Sequence, residues 1–259
     1  MADAVTYEVV DKVAHVTIRR PDKKNAMSLE VFDLLGDHAR RAAQDDAVGA
    51  VLVAGEGGTF SSGIDVSVFG DQLGDGTVEP AFIARLQAAF TAYEDVDKPT
   101  VAAIEGYCFG GGIQLAIACH LRAVAPSARL AVKEADWGLV PDLGGTVRLP
   151  RLVGLGRATE LTLTARNVDA AEARAIGLAE IALGGDDPQG EAHEFVARLA
   201  AGPGALRRAP RLLRENLGRD RDDALRAEAD AQVACIGGHD FTEAVTARLQ
   251  GRAPDFVGA

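Results

Sequence analysis

The sequence predicts an α/β body over residues 1–200 followed by a helical region over 201–259. Three observations carry this. Short β-rich runs bounded by glycine alternate with stretches whose apolar residues recur at helical spacing. The chain opens with a period-two pattern typical of a hairpin. Beyond Gly202-Pro203-Gly204 no strand-like run remains.

The elements follow in order. "VAHVTIRR" (13–20) alternates apolar and polar residues, and Asp11-Lys12 makes a turn from a preceding strand at 5–10. From Ser28 the period changes, with Phe32, Leu35, Ala39 and Ala42 at helical spacing, and "GAVLVAG" (49–55) is a dense strand. The alternation returns as a helix at 80–94, a strand at 100–106, a helix at about 111–120 and a strand at 121–125. In "DAAEARAIG" (169–177), Asp169 is placed to cap a helix with Glu172 as its third residue, and Gly177 to end it. Helices at 205–217, 221–236 and 240–250 fill the remainder.

Composition narrows the function. With 47% hydrophobic residues the chain can bury a substantial core, and a net charge of −11 without a long basic run argues against nucleic acid or an anionic membrane as partner. No apolar run approaches the roughly 20 residues that span a bilayer, and "MADAVTYEVVDK" lacks the pattern of a signal peptide, so no membrane insertion and a cytoplasmic location are expected. Cys108, Cys119 and Cys235 form no CxxC pair, so buried free thiols are expected and neither a disulfide framework nor a metal site. His15, His38, His120, His193 and His239 fall in no nucleophile or metal pattern and are read as structural or surface residues.

Glycine-rich stretches are the remaining candidates for chemistry. Neither "GEGGTFSSGID" nor "CFGGGIQ" has the spacing of a phosphate-binding or dinucleotide-binding loop. In "GYCFGGGIQLAIAC" (106–119), Gly110-Gly111-Gly112 precede a helix, where free backbone N–H groups and the helix dipole suit a developing oxyanion. Tight strand–helix packing would demand the same glycines. "TFSSGIDVSVF" (59–69) offers a second turn that presents the N–H of Ile64 after Gly63. Only five lysines stand against 22 arginines, which marks the pair Lys23-Lys24, although a solvated turn after Pro21 would also explain it.

The stretches "RRPDKKNAMS", "FSSGID", "GYCFGGG" and "VKEADWGLVPDLGGTVRLPRLVG" occur in the order and approximate spacing of the crotonase (enoyl-CoA hydratase/isomerase) family. The chain resembles that family over nearly its whole length, including the closing "FTEAVTARLQGRAPDF". The resemblance implies a spiral of ββα units whose C-terminal helices pack on the body and build a homotrimer, often paired into a homohexamer. It implies an acyl-CoA substrate, with coenzyme A entering as part of that substrate and no separate cofactor. The two oxyanion N–H groups fall on Ile64 and Gly111. The coenzyme A segments match Lys23, Lys24 and Ala26, and the turn from Ser62 to Asp65, where Asp65 is expected to be architectural because a carboxylate repels phosphates.

Family hydratases use two glutamates. One matches Glu134; the other position holds Gln114, which cannot exchange protons near neutral pH. Asp142, eight residues beyond Glu134, matches the second acid of the dienoyl-CoA isomerase branch, although that branch has an aspartate where Gln114 stands. A cap before Gly144-Gly145 is the competing role for Asp142. Asp136 is left out of the site on the expectation of a strand that turns it away. The resemblance thus favours double-bond isomerisation by Glu134 and Asp142, over hydration by Glu134 with Gln114 or acyl-CoA binding with little catalysis. Chain length and stereochemistry rest on pocket residues within 66–95.

Overall fold

The computed structural model describes residues 3–72 and 78–258, so residues 73–77 of the expected pocket segment lie outside the described residues. β1 (Val5–Val10) and β2 (Val13–Ile18) form the expected hairpin. Asp11 and Lys12 both take positive φ, 51° and 62°, the two-residue turn whose twist matches that of the strands. Next comes α1 (Leu29–Gln44), capped by the Ser28 hydroxyl, which accepts from the Val31 N–H and leaves Val31, Phe32, Leu35, Ala39 and Ala42 buried along one stripe.

β3 (Ala50–Gly55) follows, then α2 (Ser67–Gln72), α3 (Pro80–Asp95), β4 (Thr100–Ile104), β5 (Tyr107–Phe109) and α4 (Gly111–Ala116). β6 (Leu121–Val124), β7 (Arg129–Ala131), α5 (Gly145–Val153), α6 (Leu155–Thr164), β8 (Val168–Asp169), α7 (Ala170–Ala175), β9 (Ile181–Ala182) and α8 (Pro188–Ala200) complete the body. The main sheet runs β1-β2-β3-β4-β6-β9, antiparallel at the hairpin and parallel thereafter, and a small sheet runs β5-β7-β8. Both faces of the main sheet are covered. Along β3, Val51 and Val53 enter the core beneath α1 and α3, whereas Leu52 and Ala54 pack with Ala192 and Val196 of α8.

Several expected boundaries shift. The strand at 13–20 stops at Ile18, because Pro21 opens a 3-10 turn over Pro21–Lys23. The strand at 100–106 stops at Ile104, and Gly106, at φ 50°, turns the chain into the unanticipated β5. The helix expected to reach 120 ends at Ala116. Asp169 and Gly177 do what their types imply: the Asp169 carboxylate accepts from the Glu172 N–H at 2.8 Å, and Gly177 sits at φ 77°. Cys108 and Cys119 are buried; Cys235 is half-buried. No helix among the described residues is long and apolar enough to cross a membrane.

The tail is α9 (Ala205–Asn216), α10 (Arg221–Ile236) and α11 (His239–Gln250). Asp240, buried at the start of α11, accepts from the N–H groups of Gly204, Val257 and Gly258, which ties both ends of the tail together.

Candidate active site

Three segments far apart in sequence lie side by side, because Met27 bridges to Ile64 and Ser61 bridges to Cys108. Met27 N–H donates to Gly63 O at 2.8 Å, Asp65 N–H to Met27 O at 2.9 Å, and Phe109 N–H to Ser61 O at 3.0 Å. The Ile64 N–H, between the paired positions, donates to no described residue, and nor does the Gly111 N–H at the first position of α4. A methyl group placed on Gly111 would lie 3.6 Å from the Ile64 nitrogen and 2.9 Å from Met27 Cε, so glycine is what lets the two segments meet. Gly63 is at φ 106°, a conformation that glycine adopts freely and that aims the following N–H.

The Lys23–Ala26 turn is built on a residue the sequence reading passed over. Asn25, fully buried at φ 55°, accepts from the Arg20 N–H at 2.9 Å and donates to Glu56 O and Thr59 O at 2.9 and 2.5 Å. An asparagine directly after two lysines in a turn was the available signal, since this side chain both tolerates positive φ and satisfies backbone groups. Lys23 and Lys24 are exposed above it, Lys24 Nζ lying 5.2 Å from the centre of the Tyr107 ring. Ser62 N–H donates to Lys24 O, and Ala26 O accepts from Arg20. Asp65 Oδ1 takes the Ser67 N–H and hydroxyl, and Oδ2 pairs with Arg20 at 3.0 Å. The Ser67 and Arg20 hydrogen bonds hold its carboxyl below the usual range, which fits an architectural carboxylate.

Glu134 opens a 3-10 turn, Glu134–Trp137, and is only 7% exposed. Its Oε1 accepts from Gln114 Nε2 at 2.6 Å; its Oε2 is buried and has no hydrogen-bond partner among the described residues. Burial pushes this carboxyl above its ordinary range, and the nearby Asp142 charge pushes the same way. Gln114 is fixed from its other end as well, because its Oε1 accepts from Leu143 N–H at 2.8 Å and Gly145 N–H at 2.9 Å. Both lone pairs of the amide oxygen are therefore used, and the nitrogen can only donate.

Asp142, the residue before Leu143, is half-buried, and burial raises its carboxyl too. It does not cap α5: the N-cap is Gly144, with no side-chain cap bond. Asp136 does point away from Glu134, but for a different reason than expected. A strand would put residues two apart on one face, whereas the 3-10 turn separates them by about 240°, and Asp136 pairs with Lys133 at 3.2 Å. The histidines have other partners: His15 meets His193 at 3.0 Å, and His120 accepts from the Thr100 N–H.

The enoyl-CoA hydratase/isomerase family profile matches residues 8–259. The chain belongs to this family. It is 32% identical to the crotonyl-CoA hydratase of Syntrophomonas wolfei, over 98% of this chain and 97% of that one. It spans only 28% of a peroxisomal fatty acid beta-oxidation multifunctional protein of Arabidopsis thaliana, to which it is 37% identical over 76% of its own length. Among solved structures, a candidate enoyl-CoA hydratase from Streptomyces coelicolor superposes with a TM-score of 0.93 at 33% identity, covering 99% of this chain and 94% of that one. Another from Thermobifida fusca, in complex with acetoacetyl-CoA, gives 0.79 at 36% identity over 90% and 94%. Within this enoyl-CoA hydratase/isomerase fold, the buried Glu134 lies against the start of α4: a methyl on Gly110 would lie 3.6 Å from Glu134 Oε1.

Proposed function

We propose that the chain isomerises double bonds in an enoyl- or dienoyl-CoA thioester. The Ile64 and Gly111 N–H groups would hold the thioester oxygen, and Lys23, Lys24, Ala26 and the Ser62–Asp65 turn would hold coenzyme A. Glu134 Oε2, a buried acceptor without a partner among the described residues, takes a proton from C2. The electron pair moves onto the thioester oxygen as an enolate, which the two donors stabilise; one such donor is typically worth about 10²–10³ in rate. The chain of double bonds then shifts as a remote carbon takes a proton from Asp142, whose raised carboxyl favours the protonated form. Solvent restores both acids. A one-carbon shift needs only Glu134, used twice. Coenzyme A enters with the substrate, and the steps need no separate cofactor.

The observation that carries this reading is the wiring of Gln114. Splitting water across a double bond with two acids needs a second group that takes or returns a proton, and the amide oxygen here is occupied by Leu143 and Gly145 N–H groups. A second reading, hydration by Glu134 alone, is favoured by the hydratase names of the relatives. Separate assays of hydration and isomerisation on 2-enoyl-, 3-enoyl- and 3,5-dienoyl-CoA distinguish the two. Isomerisation should dominate, and Asp142→Asn should cut dienoyl turnover more than monoenoyl turnover. Hydration faster than every isomerisation would replace this reading with the second, and binding without proton exchange at C2 in deuterated water would remove catalysis altogether.

We also infer a homotrimer, or a homohexamer of paired trimers. Leu213, Leu217, Leu225, Val233, Phe241 and Leu249 are each exposed in the tail helices, and large exposed apolar side chains favour association.

A further inference from the structure

Arg148 is a buried charge, 8% exposed, with four of its five N–H donors engaged. Nε and Nη2 both reach Glu94 Oε2, at 2.9 and 2.6 Å, Nη2 also meets Thr91 Oγ1, and Nη1 donates to Leu143 O at 3.0 Å. The peptide groups of Leu143 are thereby held from both sides, its carbonyl by Arg148 and its N–H by Gln114. The two glycines that follow make room for this. A methyl group on Gly144, at φ 90°, would overlap the Arg148 guanidinium, and one on Gly145 would lie 2.8 Å from Gln114 Oε1. Asp142 is thus carried on a loop clamped between a guanidinium and an amide, and that amide also orients Glu134.

Glu94 has a second cation. Arg214 of the tail helix α9 donates to the Glu94 carbonyl, lies 3.9 Å from its carboxylate and pairs with Asp95 at 3.2 Å. The contacts make an unbroken polar chain from the tail through Glu94, Arg148, Leu143 and Gln114 to Glu134.

We propose that Arg148, anchored by Glu94, is the positioning residue that sets the Asp142 loop and the Gln114–Glu134 hydrogen bond, and that docking of Arg214 on Glu94 couples the tail to the active site. The inference rests on the proposed roles of Glu134 and Asp142. Lysine cannot replace this arginine, because a single ammonium cannot fork between Glu94 and the Leu143 carbonyl.

The test uses full-length Arg148→Lys, Arg148→Met and Arg214→Gln, assayed on whichever enoyl-CoA the wild type turns over, with sedimentation and folded fraction measured in parallel. Misplaced reacting groups lose rate rather than affinity, so kcat of Arg148→Met should fall by about 10²-fold per folded protein, with KM changed by less than about threefold and Arg148→Lys in between. Arg214→Gln, with its oligomeric state unchanged, should lower kcat by about 2- to 30-fold. Carbon-13 NMR titration of the Glu134 carboxyl in the ligand-free protein should shift in Arg148→Met. If kcat per folded protein stays within about threefold and the titration is unmoved, the positioning role is overturned. If Arg214→Gln matches wild type, the coupling to the tail is overturned. If no enoyl-CoA is turned over, the proposed reaction fails, while the titration still decides whether Arg148 positions Glu134.

Discussion

Helices α1 and α10 are both 16 residues long, yet α1 buries six residues and α10 none. The apolar residues of α1 meet α3 and the sheet, and Lys98 and Arg214 seal the seam beyond them. Those of α10 and its neighbours face outward. A helix in water draws its stability mainly from packing an apolar face; α1 finds that packing within this chain, whereas α10 buries no residue, which is in line with the proposed association through the tail. Charge divides the same way: the tail carries nine arginines and nine acids, so the whole net charge of −11 belongs to the body.

The largest expected effect lies at the centre of the body. Glu134→Gln keeps the size of the side chain but removes the proton carrier, and kcat should fall by about 10²–10⁴ while KM for the CoA ester barely moves. Steady-state kinetics on the active substrate check this, and retention of more than half the wild-type kcat (roughly a twofold effect or less) would take Glu134 out of the reaction.

Next comes a direct contrast of the two regions. Leu35→Ala, in the body core, should cost about 2–5 kcal/mol in denaturant unfolding. Leu213→Glu with Val233→Glu, on the exposed tail, should cost each chain little but shift sedimentation from trimer or hexamer to monomer. A wild type that sediments as a monomer at micromolar concentration would break the contrast, because the tail surface would then need another explanation.

The smallest effect sharpens the reading of the active site. In Gln114→Glu, one carboxylate oxygen can still accept from Leu143 and Gly145, but the other would replace the donor now 2.6 Å from Glu134 Oε1. The pair must then share a proton, so its apparent pKa rises further. Turnover that needs an ionised Glu134 falls as pH drops through that value, and the acid limb of kcat/KM should move to higher pH. Hydration of a short 2-enoyl-CoA should rise by at least about tenfold, or about 1.4 kcal/mol in the barrier. Fast hydration by the wild type, not improved by Gln114→Glu, would show that Glu134 suffices for water chemistry.

The amino-acid sequence by itself determined whatever depends on neighbours within a few residues. The hairpin, the helix that begins at Ser28, the Asp169 cap, the helices of the tail and the glycines beside Ile64 and Gly111 were all legible, because hydrophobic period, cap chemistry and turn residues act locally. The amide at position 114 was legible too, as an identity. Only the tertiary structure decided the rest. Strands β8 and β9 have two residues each and exist through pairing with distant partners, so no period marks them. The direction of the Gln114 amide is set by N–H groups 29 and 31 residues away, and Arg148 by a glutamate 54 residues away. Such bonds form only where folding brings buried donors and acceptors together and leaves them no water to choose instead.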